Sequence, residues 1–284
     1  MASSRRSSRR CAARDRSARE RRLGVSDPTS TTLAFLAVAA FAAGWIDAVV
    51  GGGGLVQLPA LLVALPGATP AQLLATNKFG SIFGTTVSSV TYYRRVRPDL
   101  RTALPMAAVA YAGSVGGALV GLHIPKAAFN PIILALLVLV GSYTLLQPDL
   151  GRESIRRFSG HKHVGLAMLT GLLIGAYDGA LGPGTGSFLV FALVGLLGYN
   201  FLEASAKAKI ANFATNLGAL TVFAPLGLVL VKVALVIAGA NLVGGYVGAR
   251  TAVARGSGFV RALFIAIVSA FVLKIGGSLL GWWA

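Results

Sequence analysis

The strongest constraint on this chain is an apolar stretch that breaks off at four consecutive glycines, Gly51 to Gly54, and then resumes. Residues 44–79 read GWIDAVVGGGGLVQLPALLVALPGATPAQLLATNKF, with Asp47 just before the break and Lys78 in the apolar segment that follows. The arrangement recurs 131 residues on, as Asp178, then Gly182-Pro-Gly-Thr-Gly186, then Lys209. Across residues 44–78 this ungapped shift matches eleven of 35 positions, among them Gly44/Gly175, Asp47/Asp178, Gly51/Gly182, Gly53/Gly184 and Lys78/Lys209. The Asp and Lys pairs weigh most, because both residue types are scarce in this chain. Internal duplication with apolar segments interrupted at matching places is a sequence pointer to a binding site between two repeats of a membrane carrier.

Composition agrees with a membrane setting. Of 284 residues, 55% are hydrophobic and 12% charged, against about 25% charged in soluble domains. The charges are segregated, which leaves several windows of the roughly 20 apolar residues that span a bilayer core. A net charge of +17 would suggest nucleic acid as partner in a soluble protein. Here residues 1–22 alone hold nine arginines against Asp15 and Glu20, and the remaining excess sits mostly in short loops, as the positive-inside rule expects. The partners read from this pattern are therefore the lipid bilayer and not nucleic acid. The arginine-rich segment 1–30 is expected to be a disordered cytoplasmic tail touching anionic lipid. It shows no small-residue cleavage site of a secretory signal. The single cysteine, Cys11, excludes a disulfide within the chain. The three histidines form no metal-ligand pattern, and His161-Lys162-His163 reads as a solvated loop.

The chain divides into a first transmembrane repeat at 31–147, a basic cytoplasmic linker at 148–163 and a second repeat at 164–284. The expected fold class is all-α, a polytopic integral membrane protein. Apolar segments run over 32–50, 55–65, 72–93, 102–122 and 127–146 in the first half, and over 164–181, 187–197, 202–223, 231–253 and 259–282 in the second. They are too long for barrel strands and lack strand alternation. The basic loops can all be cytoplasmic if each short second segment is re-entrant, giving four spanning helices per half and eight crossings. Arg250, Arg255 and Arg261 then fall outside. The alternative is ten crossings with inverted halves.

Irregular backbone at membrane depth needs protein or water to satisfy its N–H and C=O groups. Gly51, Gly52, Gly53 and Gly54 precede a short helix, and a helix N-terminus offers free N–H groups and partial positive charge. Glycine lets an anion approach that backbone. Gly182, Gly184, Thr185 and Gly186 would form a second such end, with hydroxyl donors from Thr185 and Ser187. Gly113, Gly116 and Gly117 suit close helix packing better. Lysine inside a membrane helix costs at least ~2.5–3.5 kcal/mol, which argues for a role at Lys78 and Lys209. Lys78 shares a helical face with Ser81 and Thr85, as Lys209 does with Asn212 and Asn216. Asn77 and Lys207 fall on other faces, and Lys207 and Glu203 are expected to snorkel to the interface. Asp47 and Asp178 each stand 31 residues before the lysine of their own half. They are read either as ion-pair partners of that lysine or as proton carriers for coupling. Neither HExxH, GxSxG nor a P-loop occurs, so an enzyme is not expected, nor a cofactor or metal.

GWIDAVVGGGGLVQLPALL with ATNKFGSIFGT in the first half, and GAYDGALGPGTGSFLVFAL with AKIANFATN in the second, resemble the sulfite exporter TauE/SafE family of membrane permeases. The likeness covers about residues 33–280; the arginine-rich tail lies outside it. It implies a multi-pass carrier of the plasma membrane for sulfite, sulfonates or related sulfur-containing anions, coupled to protons or another ion. The expected partner is thus a small anion, and a homo-oligomer is compatible with the pattern. An anion channel and an assembly factor for a respiratory complex are the alternative functions.

Overall fold

The computed structural model describes residues 28–123, 154 and 157–279. Eight helices, and no strands, occur among them: α1 (Ser30–Val50), α2 (Gly54–Ala64), α3 (Pro70–Val96), α4 (Leu100–Gly121), α5 (Gly160–Ala180), α6 (Thr185–Gly195), α7 (Phe201–Phe223) and α8 (Val231–Leu279). Helix α8 is broken at Gly256, whose φ of 74° interrupts the helical backbone. The break separates the two last segments expected from the sequence. The expected segment 127–146, Trp282 and the N-terminal tail lie outside the described residues. Three helices, Ser30–Val50, Leu100–Gly121 and Val231–Ala270, are long and apolar enough to cross a membrane by length and composition. α3 and α7 fall short because they carry the lysine and asparagine positions.

Local chemistry fixes four of the eight helix starts. Thr69 and Gln72 form a reciprocal capping box ahead of α3, with Pro70 in its first turn, a position where proline's missing N–H costs nothing. Thr29, Asp99 and Asn200 cap α1, α4 and α7 with their side chains. The short helices α2 and α6 start instead on Gly53 and Gly184, with no side-chain cap.

The halves exchange helices. α1 and α3 pack on α8 of the other half, α5 and α7 pack on α4, and α3 meets α7 at the centre. Small residues bring these backbones together. Along α4, Gly113, Gly117 and Gly121 nest against carbonyls of Leu172, Ala176 and Ala180 on α5, while Gly171, Gly175 and Gly179 nest against α4 in return. Gly44, Gly244 and Gly248 do the same between α1 and α8. This is close small-residue packing of membrane helices, driven by van der Waals contact. Gly116, grouped with that stripe on sequence, faces open space instead. A Cβ at Gly117 would lie 1.9 Å from the Ala176 carbonyl oxygen. Gly117→Val is therefore expected to destabilise the bundle by more than the ~1–3 kcal/mol of ordinary overpacking, whereas Gly116→Val should leave the melting temperature in detergent within a few degrees of wild type.

Two apolar cores form, the first reaching from the break residues Val50 and Leu55 outward. One gathers Val96, Met106, Ala167, Leu197, Phe201 and Val260. The other gathers Leu36, Leu61, Leu65, Leu73, Ala118, Phe223 and Val233. The start of α1 and the end of α2 thus share one core, and the start of α5 and the end of α6 share the other.

Candidate functional site

The two breaks meet. α1 ends at Gly51, whose left-handed φ of 86° turns the chain while its N–H closes on the Asp47 carbonyl. α5 ends in a turn built from Gly182 and Gly184, with φ of 88° and 82°, around Pro183. The Ser187 N–H donates to the Gly51 carbonyl at 3.1 Å, and its hydroxyl donates to the Val50 carbonyl at 2.9 Å. The last carbonyls of a helix lack intrahelical partners. Here Tyr92 from α3 donates to Ala48 at 3.0 Å and Ser205 from α7 reaches Val49 at 3.5 Å. In the second break, Tyr177 donates to the Pro183 carbonyl at 2.6 Å and Thr185 to the Gly182 carbonyl at 2.8 Å. The irregular backbone is thus tied down by hydroxyls, none of them provided by the glycines themselves. Tyr92, Tyr177 and Ser205 escaped the sequence reading, since a lone hydroxyl in an apolar helix carries no motif.

The two lysines form ion pairs, and the pairs are crossed. Lys78 Nζ lies 2.5 Å from Asp178 Oδ2, and Lys209 Nζ lies 2.9 Å from Asp47 Oδ2. Pairing within each half, Asp47 with Lys78 and Asp178 with Lys209, is not what forms. The exchange of helices between halves is the reason: the end of each half's first helix comes to rest beside the third helix of the other half. A Cβ at Gly182 would stand only 3.3 Å from Lys78 Nζ.

A cavity opens at this junction. Asp47, Gly51 and Gly54 line it from the first break, Asn77, Lys78, Ser81 and Thr85 from α3. Asp178, Gly182, Gly184, Thr185 and Gly186 line it from the second break, Asn212 and Asn216 from α7. It offers about 20 Å³ to the centre of a water-sized sphere, room for one or two waters. Most residues singled out on sequence therefore converge, but Gly52, Gly53 and Lys209 do not line the cavity. Gly53 is wedged against the Ala43 carbonyl and Asp47. Lys209 is fully buried behind Asp47, whose side chain is 17% exposed. Asn77, assigned to another face, does line it, because a residue one step from Lys78 is only about 100° round the helix.

The cavity wall is rich in donors. It holds one ammonium, three asparagine amides and the starts of α2 and α6, which lack side-chain caps. The N–H groups of Leu55, Val56, Thr185 and Ser187 already donate to backbone carbonyls, so what these helix ends offer an anion is chiefly their dipoles. Its only acidic groups are the two aspartates, each held by a lysine. Among the described residues no His, Cys, Asp or Glu cluster could hold a metal ion.

Two expectations outside the cavity are corrected. His163 is buried, with Nε2 2.6 Å from the Tyr199 hydroxyl, because α5 starts at Gly160 and carries His163 into its first turn. Lys207 is 1% exposed and lies over the Tyr199 ring at 4.3 Å, so it does not snorkel.

The model of the family "Sulfite exporter TauE/SafE" matches residues 36–275. A "Probable membrane transporter protein ORF9" of Sinorhizobium sp is 39% identical, the alignment covering 86% of this chain and 92% of that protein. A "Probable membrane transporter protein" of Haemophilus influenzae is 35% identical, over 82% and 90%. "Probable membrane transporter protein YfcA" of Escherichia coli K12 is 33% identical, over 88% and 93%. No solved structure matches.

Proposed function

Because this chain belongs to the sulfite exporter TauE/SafE family of membrane transporters, we propose that it is a secondary carrier for a small anion, binding it in the cavity between the two glycine breaks. The observation that carries this reading is the convergence of Lys78 with the positive dipole ends of α2 and α6, one from each half. Ammonium, amides and helix N-termini together recognise an oxyanion. Sulfite, a sulfonate or a related sulfur-containing anion is the substrate class, moved across the cell membrane with a proton or another ion.

The two cores support inverted halves: the start of α1 and the end of α2 share one of them, the start of α5 and the end of α6 the other. Alternating access follows from one half rocking against the other about the shared site.

Purified protein in liposomes should take up labelled sulfite or methanesulfonate, with trans-stimulation by the same anion inside. No movement of sulfite, methanesulfonate or acetate would sink the carrier reading. Currents far above carrier turnover, without trans-stimulation, would make it a channel.

A further inference from the structure

The site is electrically balanced before a substrate arrives. Lys78 and Lys209 face Asp178 and Asp47, two positive charges against two negative. An anion that simply added itself would leave the loaded site with net negative charge inside the membrane, where unbalanced charge is disfavoured. The cavity also has no room for addition. Its space suits one or two waters, and the ammonium that an anion needs is already occupied at 2.5 Å by Asp178.

The two pairs differ in access. Lys78 and Asp178 both line the cavity, with side chains 2% and 4% exposed. Lys209 does not line it and is closed off by its own partner, Asp47. The charged or titratable groups around Asp178 are few. Lys78 faces it from α3. Tyr177 lies next to it on α5, its hydroxyl committed to the Pro183 carbonyl. Asp47 lies across the cavity with Lys209 behind it. From α4, Met106, Ala110, Ser114 and Ala118 meet the glycines of α5, none of them charged or titratable.

We infer that substrate and Asp178 compete for the Lys78 ammonium, so that binding one singly charged anion loads one proton onto Asp178 and the carrier moves anion and proton together, without net charge. This rests on the carrier reading above. The anion takes over the contact with Lys78, and the contact of Lys78 with Asp178 breaks. The anion now neutralises Lys78, which leaves the Asp178 carboxylate as the unbalanced charge inside the membrane, and a proton from water on the side to which the site is open restores neutrality at Asp178. Release of the anion reverses both events, and the proton leaves on the other side. Lys209 and Asp47 keep their contact throughout this half of the cycle. Two lysines at equivalent positions thus divide the work, one binding substrate and the other holding the breaks together.

The test uses the full chain and methanesulfonate, which is singly charged at every pH tested. In weakly buffered detergent with a pH-indicator dye, wild type should take up one proton per methanesulfonate bound. Asp178→Asn should take up none while still binding, and Asp178→Glu should restore the uptake. In Asp47→Asn the ratio should stay at one even where affinity falls. In liposomes, an acid-outside gradient should drive wild-type accumulation, and a potassium–valinomycin potential should leave it unchanged. Asp178→Asn should lose gradient-driven accumulation but keep counterflow. Wild-type binding with no proton uptake, potential-driven uptake, or an unchanged ratio in Asp178→Asn overturns the inference while the carrier reading stands. If Asp178→Asn does not survive purification, the wild-type ratio and its insensitivity to potential decide. Absence of binding and counterflow with methanesulfonate, sulfite and acetate removes the carrier reading and this inference together.

Discussion

Replacing Lys78 by methionine is expected to abolish anion uptake, at least a hundredfold below wild type, and to lower the melting temperature as well. The first effect follows from its position: among the described residues, Lys78 is the one ammonium that lines the cavity. The second follows from what it leaves behind. Asp178 would remain almost fully buried without its partner, and removing one member of a buried ion pair costs about 3–5 kcal/mol. The double variant Lys78→Met with Asp178→Leu should recover most of that stability, since a buried pair replaced by apolar side chains of similar volume is often neutral. It should not recover transport. The crossed pairing makes a further distinction. Lys78→Met combined with Asp47→Leu removes the pair expected within one half, and leaves Asp178 and Lys209 both stranded. It should be less stable than either single variant, close to the sum of the two losses. Melting of the detergent-solubilised proteins measures this directly. If the within-half double variant were the stable one, the crossed geometry would be wrong.

The helices themselves were legible because bilayer thickness, glycine breaks and caps act locally. The predicted starts and ends of α1, α2 and α7 fall within two residues of the observed ones. The duplication was legible for the same reason, as a shift in register that needs no structure. What sequence could not carry is the exchange of helices between halves. Spacing along the chain set Asp47 beside Lys78, yet the lysine partner of each aspartate comes from the other half. Equal position in a repeat also concealed unequal surroundings. Lys78 and Lys209 match in register, but only Lys78 lines the cavity. Asn77 was assigned to another face than Lys78, although it lines the site. His163 and Lys207 were read from polarity alone, and burial against Tyr199 depends on where a helix begins and what packs on it. The four-glycine run shows the same limit. Its composition treated the glycines alike, while the fold uses them differently.

That difference within the run supplies the second large effect. Gly51→Ala should prevent accumulation of correctly folded protein. Its φ of 86° is a left-handed conformation, which costs an L-residue about 1–2 kcal/mol. The added Cβ would in addition stand 2.1 Å from the Gly186 carbonyl carbon, in backbone that cannot yield without separating the two breaks. Gly186→Ala meets the same obstacle from the other side, with Gly51 Cα at 2.5 Å. Gly53→Ala should also fail, against the Ala43 carbonyl oxygen at 2.5 Å. Gly52→Ala should behave differently. Its φ lies outside the left-handed range, and a Cβ there meets only the Ser187 hydroxyl at 3.5 Å and isoleucine methyls at 3.7 Å, ordinary contacts. It is expected to yield folded protein with uptake within about twofold of wild type, since van der Waals contact at these separations is mildly favourable. Chromatographic monodispersity in detergent, read beside uptake in liposomes, separates loss of fold from loss of transport for each variant. Equal tolerance at Gly51 and Gly52 would mean that the two breaks do not touch. The site could not then be a single one shared by both halves, because the contact between Gly51 and Gly186 is what brings the starts of α2 and α6 to one cavity.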